Sequence, residues 1–263
     1  MIPGKQVSSE TQWNLRAERV RELQRQFAAA AELLRFYAVV LEFQGKVSRD
    51  FHPEVNLSLP LREQIDFPYV EGFLPELFAL VRKHGPAALG EVATSLENAG
   101  SPAWRQVLTS AASGSPHETF FARACLQPVA ERLQRHCPIS TDQSVRQCPV
   151  CGGLPQLVIL RPEGEGARRS LQCSFCLREW DFRRLLCANC GETAKEKLPY
   201  YTAEQCKHVR VEACDTCRHY LKSVDLSLDG LAVPLVDEVA LAALDVWAGD
   251  KGYTKIARNL VGM

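Results

Sequence analysis

Four C-x-x-C pairs lie between Cys148 and Cys217: Cys148/Cys151, Cys173/Cys176, Cys187/Cys190 and Cys214/Cys217. A C-x-x-C turn presents two sulfurs from one side of a tight loop, and a tetrahedral metal ion needs two such turns to close its shell. Four turns therefore make two sites of four thiolates. The first half runs Cys148-Pro-Val-Cys-Gly-Gly, strand, turn, Leu171-Gln-Cys-Ser-Phe-Cys; the second runs Cys187-Ala-Asn-Cys-Gly-Glu, a longer connection, Val211-Glu-Ala-Cys-Asp-Thr-Cys. Twenty-one residues separate Cys151 from Cys173 and twenty-three separate Cys190 from Cys214, close to the spacing of a two-knuckle zinc site. Only ten lie between Cys176 and Cys187, too few for a hairpin of that kind. The pattern thus predicts Cys148, Cys151, Cys173 and Cys176 as one site and Cys187, Cys190, Cys214 and Cys217 as the other.

Glycine follows the second cysteine in the first knuckle of each half, where it allows the turn that aims backbone N–H groups at the sulfurs. Leu177 and Arg218 stand in the corresponding places of the second knuckles. Iron of the rubredoxin type and structural zinc share this four-sulfur shell, so the residues leave both open. Redox dithiols of the thioredoxin kind normally occur once, in a βαβ unit; four motifs in two matched halves favour metal. Each half is too small to build much core, so loss of metal is expected to unfold it.

The opening stretch, Met1 to Glu10, is polar and predicts no secretory signal. No run reaches the ~18 apolar residues of a membrane span. The expected compartment is reducing, the cytoplasm, where cysteines serve as thiolates rather than disulfides. A length of 263 residues suits about two domains.

Ser9 and Gln12 fit a capping box. From there Trp13, Val20, Leu23, Phe27, Ala30, Leu34, Tyr37 and Leu41 recur at helical spacing, predicting one long helix that ends at Gly45. Residues 46–73, with Pro53, Pro60 and Pro68, read as irregular. Helices are expected over Leu74–Lys83, Pro86–Ala99, from Ser101-Pro102, and from Ser115-Pro116, the last carrying Phe120, Phe121, Ala124 and Cys125 and kinked at Pro128. Residues 1–137 thus read as a helical bundle.

After a polar linker come strand-like runs at Leu154–Leu160, Arg169–Cys173, Glu179–Leu185, Val209–Ala213 and Tyr220–Leu226, with a hairpin tip at Gly164-Glu165-Gly166. One helix is expected over Leu231–Ala248, and Gly249–Met263 as a loosely held tail. The predicted architecture is multidomain α+β: a helical domain (1–137), two tandem rubredoxin-like or zinc-ribbon modules (145–186 and 187–228), and a C-terminal helix with tail (229–263).

Cys125 and Cys137 read as helix-packing thiols. Cys206, beside His208, reads first as a loop position and second as a spare ligand or redox thiol. His219 is a competing ligand that eight thiolates make unnecessary, and Trp180 a core residue beside a knuckle. The chain's net charge is zero. From Thr141 to Lys222 there are thirteen Lys/Arg and ten Asp/Glu. That is +3, and two four-thiolate sites with divalent ions bring −4, for a net of about −1. A DNA-binding ribbon needs a sustained basic face, so nucleic-acid binding is not expected.

The run from Cys148-Pro-Val-Cys-Gly-Gly-Leu-Pro through Leu171-Gln-Cys-Ser-Phe-Cys-Leu-Arg-Glu-Trp180, Arg184-Leu-Leu-Cys-Ala-Asn-Cys and Cys214-Asp-Thr-Cys-Arg-His-Tyr-Leu-Lys222 resembles the formate dehydrogenase accessory protein FdhE family. The likeness continues through Asp237-Glu-Val-Ala-Leu-Ala-Ala-Leu-Asp245 and Gly252-Tyr253. It implies a cytoplasmic maturation factor that binds the catalytic subunit of a formate dehydrogenase before export, with two mononuclear metal ions, Fe or Zn, each held by four cysteines. Cys206 is outside the family pattern. The expectation is a non-catalytic assembly chaperone. A rubredoxin-like iron electron carrier is the alternative, and a nucleic-acid-binding zinc ribbon the third reading. Oligomeric state is not legible in the residues.

Overall fold

The computed structural model describes residues 9–52, 54–109, 115–138 and 140–263. The polar first eight residues, the Ser9 side chain of the expected capping box and Pro53 fall outside it. The described N-terminal region is helical: α1 (Ser9–Gln26), α2 (Ala31–Asp50), α3 (Phe67–Glu71), α4 (Leu74–His84), α5 (Ala87–Ala99), α6 (Ser101–Thr109) and α7 (Pro116–Gln134).

The single long helix expected from Ser9 to Gly45 is a hairpin of two helices. Phe27 leaves helical conformation at φ −115° and ψ 84°, a 3-10 turn over Ala28–Ala30 turns the chain, and α2 runs past Gly45 to Asp50. The reversal brings Trp13 onto Gly45, where a Cβ would meet the indole ring at 3.6 Å. Both halves of the apolar stripe, including Val20, Leu23, Leu34 and Leu41, are buried. Helical periodicity continues across the turn, so the pattern by itself does not reveal the reversal.

The stretch expected to be irregular, 46–73, holds the end of α2, a 3-10 turn at Leu61–Gln64, and α3, where the Tyr69 N–H donates to the Asp66 carboxylate. Ser101 opens α6 as expected, but its hydroxyl donates to Glu71 instead of capping the helix. At Ser115 the full capping box with Glu118 is present. α7 continues through Pro128 and is buried from Phe120 to Glu131 on every face, the mark of a helix at the centre of a domain. Phe36, Phe120, Phe121, Phe78 and Trp104 form a chain of ring contacts around it, with centroids 5.3 to 5.7 Å apart.

The second half is one seven-stranded sheet: β1 (Pro155–Glu163), β2 (Gly166–Cys173), β3 (Glu179–Asp181), β4 (Tyr200–Ala203), β5 (Cys206–Cys214), β6 (His219–Asp225) and β7 (Thr254–Lys255). The strand order is β3-β2-β1-β6-β5-β4, with β7 also paired to β6. Each module supplies antiparallel strands, and β1 pairs in parallel with β6, Leu157 opposite Lys222 and Ile159 opposite Val224, joining the modules edge to edge. The two-residue tip at Gly164 is as expected, with φ +55° at the glycine.

The single helix expected over Leu231–Ala248 is two, α8 (Pro234–Ala240) and α9 (Ala242–Asp250), broken at Leu241 (φ −104°, ψ 41°). At the break the buried Lys222 ammonium donates to the Glu238 carbonyl, which an unbroken helix would give to the Ala242 N–H, and to the Leu241 carbonyl, which accepts the Leu244 N–H as well. The expected loose tail is packed. Thr254–Lys255 joins the sheet, and Tyr253, Lys255, Asn259 and Leu260 are buried. Several of its anchors are polar, so hydropathy alone understates how firmly it is held. Among the described residues no helix is long and apolar enough to cross a membrane.

Candidate metal centres

The fold gathers the eight cysteines into two quartets, each with its sulfurs within 4.8 Å of one another: Cys148, Cys151, Cys173, Cys176 and Cys187, Cys190, Cys214, Cys217. In the first, Cys148 and Cys176 sulfurs are 3.5 Å apart and Cys151 and Cys173 sulfurs 3.4 Å; in the second, Cys187 and Cys217 are 3.8 Å apart and Cys190 and Cys214 3.7 Å. A tetrahedral ion with bonds of about 2.3 Å separates its sulfurs by about 3.8 Å. The second quartet matches the edge of that tetrahedron and the first is a few tenths of an ångström tighter, and each could hold a metal ion.

Local backbone geometry builds the quartets. In the first turn of each half the sequence-early cysteine N–H donates two residues beyond its partner, Cys148 to the Gly153 carbonyl and Cys187 to that of Glu192, each at 2.8 Å. Backbone N–H groups also point at sulfur: Phe175 to Cys173 at 3.3 Å and Asn189 to Cys187 at 3.4 Å. Such donors offset thiolate charge. The residue after the second cysteine is left-handed in all four turns, with φ of 70° at Gly152, 57° at Leu177, 83° at Gly191 and 58° at Arg218. Two of these carry side chains, each at a cost on the order of 1 kcal/mol. Leu177 is buried; Arg218 stacks on the Tyr253 ring at 3.9 Å and pairs with Asp215 at 3.1 Å.

The neighbouring glycines separate two effects. A Cβ at Gly152 would meet nothing within 4 Å, so Gly152→Ala is strained only by its backbone, by about 1 kcal/mol, and should keep its metal. A Cβ at Gly153 would lie 2.9 Å from the Cys173 sulfur and 3.3 Å from that of Cys151. Gly153→Ala should lose metal from this site alone. Metal content of the two purified variants checks the contrast, and equal content would sink it.

The quartets differ in surroundings. Cys148, Cys173 and Cys176 are buried beneath the helical region, whose core is continuous with Phe175, Trp180 and Phe182. Arg178 donates to the Gln134, Cys137 and Pro138 carbonyls, and the Trp180 indole N–H to Val145 at 2.8 Å. Arg123 of α7 donates to the Ser174 carbonyl inside the second turn at 2.6 Å. In the second quartet Cys190 is exposed and Cys217 half-buried.

Four thiols in such contact cannot all ionise without a cation. In the first quartet hydrogen bonds among the sulfurs push Cys173 and Cys176 up, and hold Cys151 down. In the second, Cys217 is brought down to about 6: burial opposes ionisation, and hydrogen bonds from Asn189, the His219 backbone, Cys190 and Cys214 outweigh it. The donor set suits a divalent ion that takes the place of the shared protons.

A third cluster, His208, Asp229 and Asp237, has ligand-type atoms within 4.8 Å. A cation already occupies it: the Arg19 guanidinium lies 2.6 Å from Asp237 and 2.7 Å from Asp229. His208 Nε2 is 2.8 Å from Asp237, and its Nδ1 faces the buried Cys206 sulfur at 3.5 Å. The Asp237 carboxylate, then Cys206, raises His208 from 6.5 to about 10. A raised folded value means the imidazolium's stability is complete below pH 6.5 and lost as pH climbs towards 10. The melting temperature should fall over that window, and His208→Ala should flatten the slope. A slope unchanged by the variant would remove this account.

Cys125 is fully buried among the helices, which pushes its thiol well up, while Cys137 is half-buried with its sulfur 3.9 Å from the Leu133 carbonyl. His219 Nδ1 lies 2.7 Å from the Cys217 carbonyl, and the ring is in neither sulfur quartet. Trp180 is core. Periodicity and motif spacing give no sign of Arg19, Arg123 or Asp237 as partners, since each contact spans the chain.

Two domain models of one family match consecutive parts of the chain: "FdhE, central domain" over residues 147–184 and "FdhE, C-terminal domain" over residues 185–261. A protein FdhE homolog of Aquifex aeolicus is 27% identical, with 93% of each chain covered. One from Pectobacterium carotovorum is 28% identical over 94% of this chain and 86% of its own. The crystal structure of the FdhE protein from Pseudomonas aeruginosa superimposes with a TM-score of 0.75 at 24% identity, covering 97% of both chains, and shares the fold.

Proposed function

The chain belongs to the FdhE family, and from that premise we propose that it serves the maturation of a formate dehydrogenase by binding the catalytic subunit in the cytoplasm, without a reaction of its own. The observation that carries the reading is the pair of closed sulfur quartets built into one sheet. In this role Cys148, Cys151, Cys173 and Cys176 hold one ion and Cys187, Cys190, Cys214 and Cys217 the other. Four protein ligands leave a tetrahedral ion no open position for substrate, which suits a structural part better than a catalytic one. The ions supply rigidity, and the chain's own residues fix the result. Arg123 and Arg178 tie the first module to α7, and Arg19 ties α1 to Asp237 of α8.

Co-purification tests this. Tagged chain expressed with a formate dehydrogenase catalytic subunit should retain that subunit through washing, and deletion of the chain should leave the enzyme inactive. Full formate dehydrogenase activity in the deletion strain would defeat the proposal.

One observation favours a second reading, iron-based electron transfer. Cys190 is exposed and Cys217 half-buried, so an ion in the second quartet lies near the surface, where a redox partner can approach. Ferric thiolate absorbance that bleaches on reduction would support it. Colourless protein carrying two equivalents of zinc would eliminate it.

A further inference from the structure

A cavity of about 440 Å³ opens where the helical region, the first metal module and the C-terminal segment meet. Its charged lining residues are Arg62, Arg123 and Arg258; among the described residues no Asp or Glu lines it. Leu154, Phe120 and Phe175 contribute apolar wall, and the Arg62 guanidinium sits over the Phe175 ring at 4.2 Å. Arg62 and Arg258 are exposed.

Arg123 is the unusual member. It is 8% exposed, and the hydrogen bonds of its guanidinium go to neutral oxygens: the carbonyls of Arg258, Asn259 and Ser174 and the side chain of Gln156. Its Nε–H has no acceptor, and neither has the Nε2 amide of Gln156 beside it. Two buried donors without acceptors in one place are uncommon in a folded protein. Of these two side chains Arg123 lines the cavity and Gln156 does not, so only Arg123 is within reach of a ligand there. Of the other buried arginines among the described residues, Arg16, Arg19 and Arg169 face carboxylates, those of Glu131, Asp237 and Glu212, while Arg178, away from the cavity, bonds only to neutral oxygens as Arg123 does. Arg123 has no such carboxylate. A divalent ion in the first quartet would bring two negative charges nearby, and the three guanidiniums of the cavity still exceed them.

We propose that this cavity is a binding site for a small organic anion, a carboxylate or phosphate head on an apolar body. The head is drawn to the Arg62, Arg123 and Arg258 guanidiniums, and the body lies against Phe120, Phe175 and Leu154. A site of this size and character holds a ligand of small-molecule dimensions. The proposal goes beyond the maturation role and does not depend on it.

Calorimetric titration of the purified full chain with benzoate and with inorganic phosphate tests it. Saturable one-site binding of at least one probe is expected, with Kd on the order of 0.1–10 mM for ligands this small. The preferred probe reports the head group. Arg62→Ala and Arg258→Ala, at exposed positions, should each weaken binding about threefold while leaving metal content unchanged. Arg123→Met should weaken it tenfold or more, read alongside its melting curve. Absence of saturable binding for both probes would overturn the proposal, as would full affinity in the Arg62→Ala/Arg258→Ala double variant.

Discussion

With an ion in each quartet, as proposed above, chelation of both is expected to abolish the cooperative unfolding of the sheet region. Structural zinc in small modules contributes about 10–16 kcal/mol of binding free energy, comparable with or greater than the whole stability of a typical domain, about 5–15 kcal/mol. The loss should come in two steps. The second quartet, with Cys190 exposed, is open to a chelator, whereas the first is buried against α7. Its ion should leave first. Loss of the ion in the first quartet should then loosen the helices as well, because that module shares their core and takes the Arg123 and Arg178 bonds. Cys214→Ser should reproduce the first step and Cys173→Ser the second. Circular dichroism melts paired with metal analysis read both. Metal-free protein that melts like the loaded form would refute the structural role of the ions.

Glu238→Ala is expected to lower stability by about 3–5 kcal/mol, the usual cost of stranding a buried ionic partner. Glu238 is 1% exposed and Lys222 is fully buried. The Glu238 carboxylate faces both Lys222 and Lys255 and accepts from Asn259 at 2.6 Å. Asp245 faces the same two lysines and accepts from Tyr220 at 2.8 Å. Two cations and two anions balance inside the fold, and removing Glu238 leaves two buried ammoniums sharing the single Asp245 carboxylate. For a chain of this size the melting temperature should drop by roughly 10 °C. Glu238→Gln, which keeps shape and an acceptor, should cost less.

The same carboxylate sets an acid limit. Burial opposes its ionisation, but Lys222 and Lys255 win and hold it down to about 2, against an ordinary value of 4.5. A lowered folded value means its contribution is complete above pH 4.5 and lost as pH falls towards 2. Wild-type protein should therefore destabilise through that window, and Glu238→Gln should show a shallower decline. Urea midpoints measured across pH 2–5 check both, and a decline equally steep in the variant would contradict the assignment.

Particular residues mark what could be read in advance. The Ser115 cap and the Gly164 tip are local, each decided within four residues, and both stand where the chain predicts them. The hairpin turn at Phe27 and the break at Leu241 were not legible. Each interrupts a periodic pattern, and what sits at each lies elsewhere in the chain: α2 folding back on Trp13, and Lys222 donating to the Glu238 carbonyl. The left-handed backbone at Leu177 and Arg218 was hidden because only glycine advertises that conformation in a sequence. The repeat of the motif, glycine in one half-turn and a side chain in the other, was the signal available.

The sequence by itself determined the two sulfur quartets, because C-x-x-C spacing acts through a turn of a few residues and the repeat length matches a hairpin to each site. It also determined the division into helices and then strands, since periodicity is local. The tertiary structure alone decided that the two modules form one sheet through the parallel β1–β6 pair. It likewise decided that Asp237 and Glu238, adjacent in the chain, face opposite partners, Arg19 on the helical side and Lys222 and Lys255 on the sheet side. Those contacts link residues as many as 218 positions apart. Pairings over such distances depend on how every intervening element packs, and spacing within a motif carries no record of them.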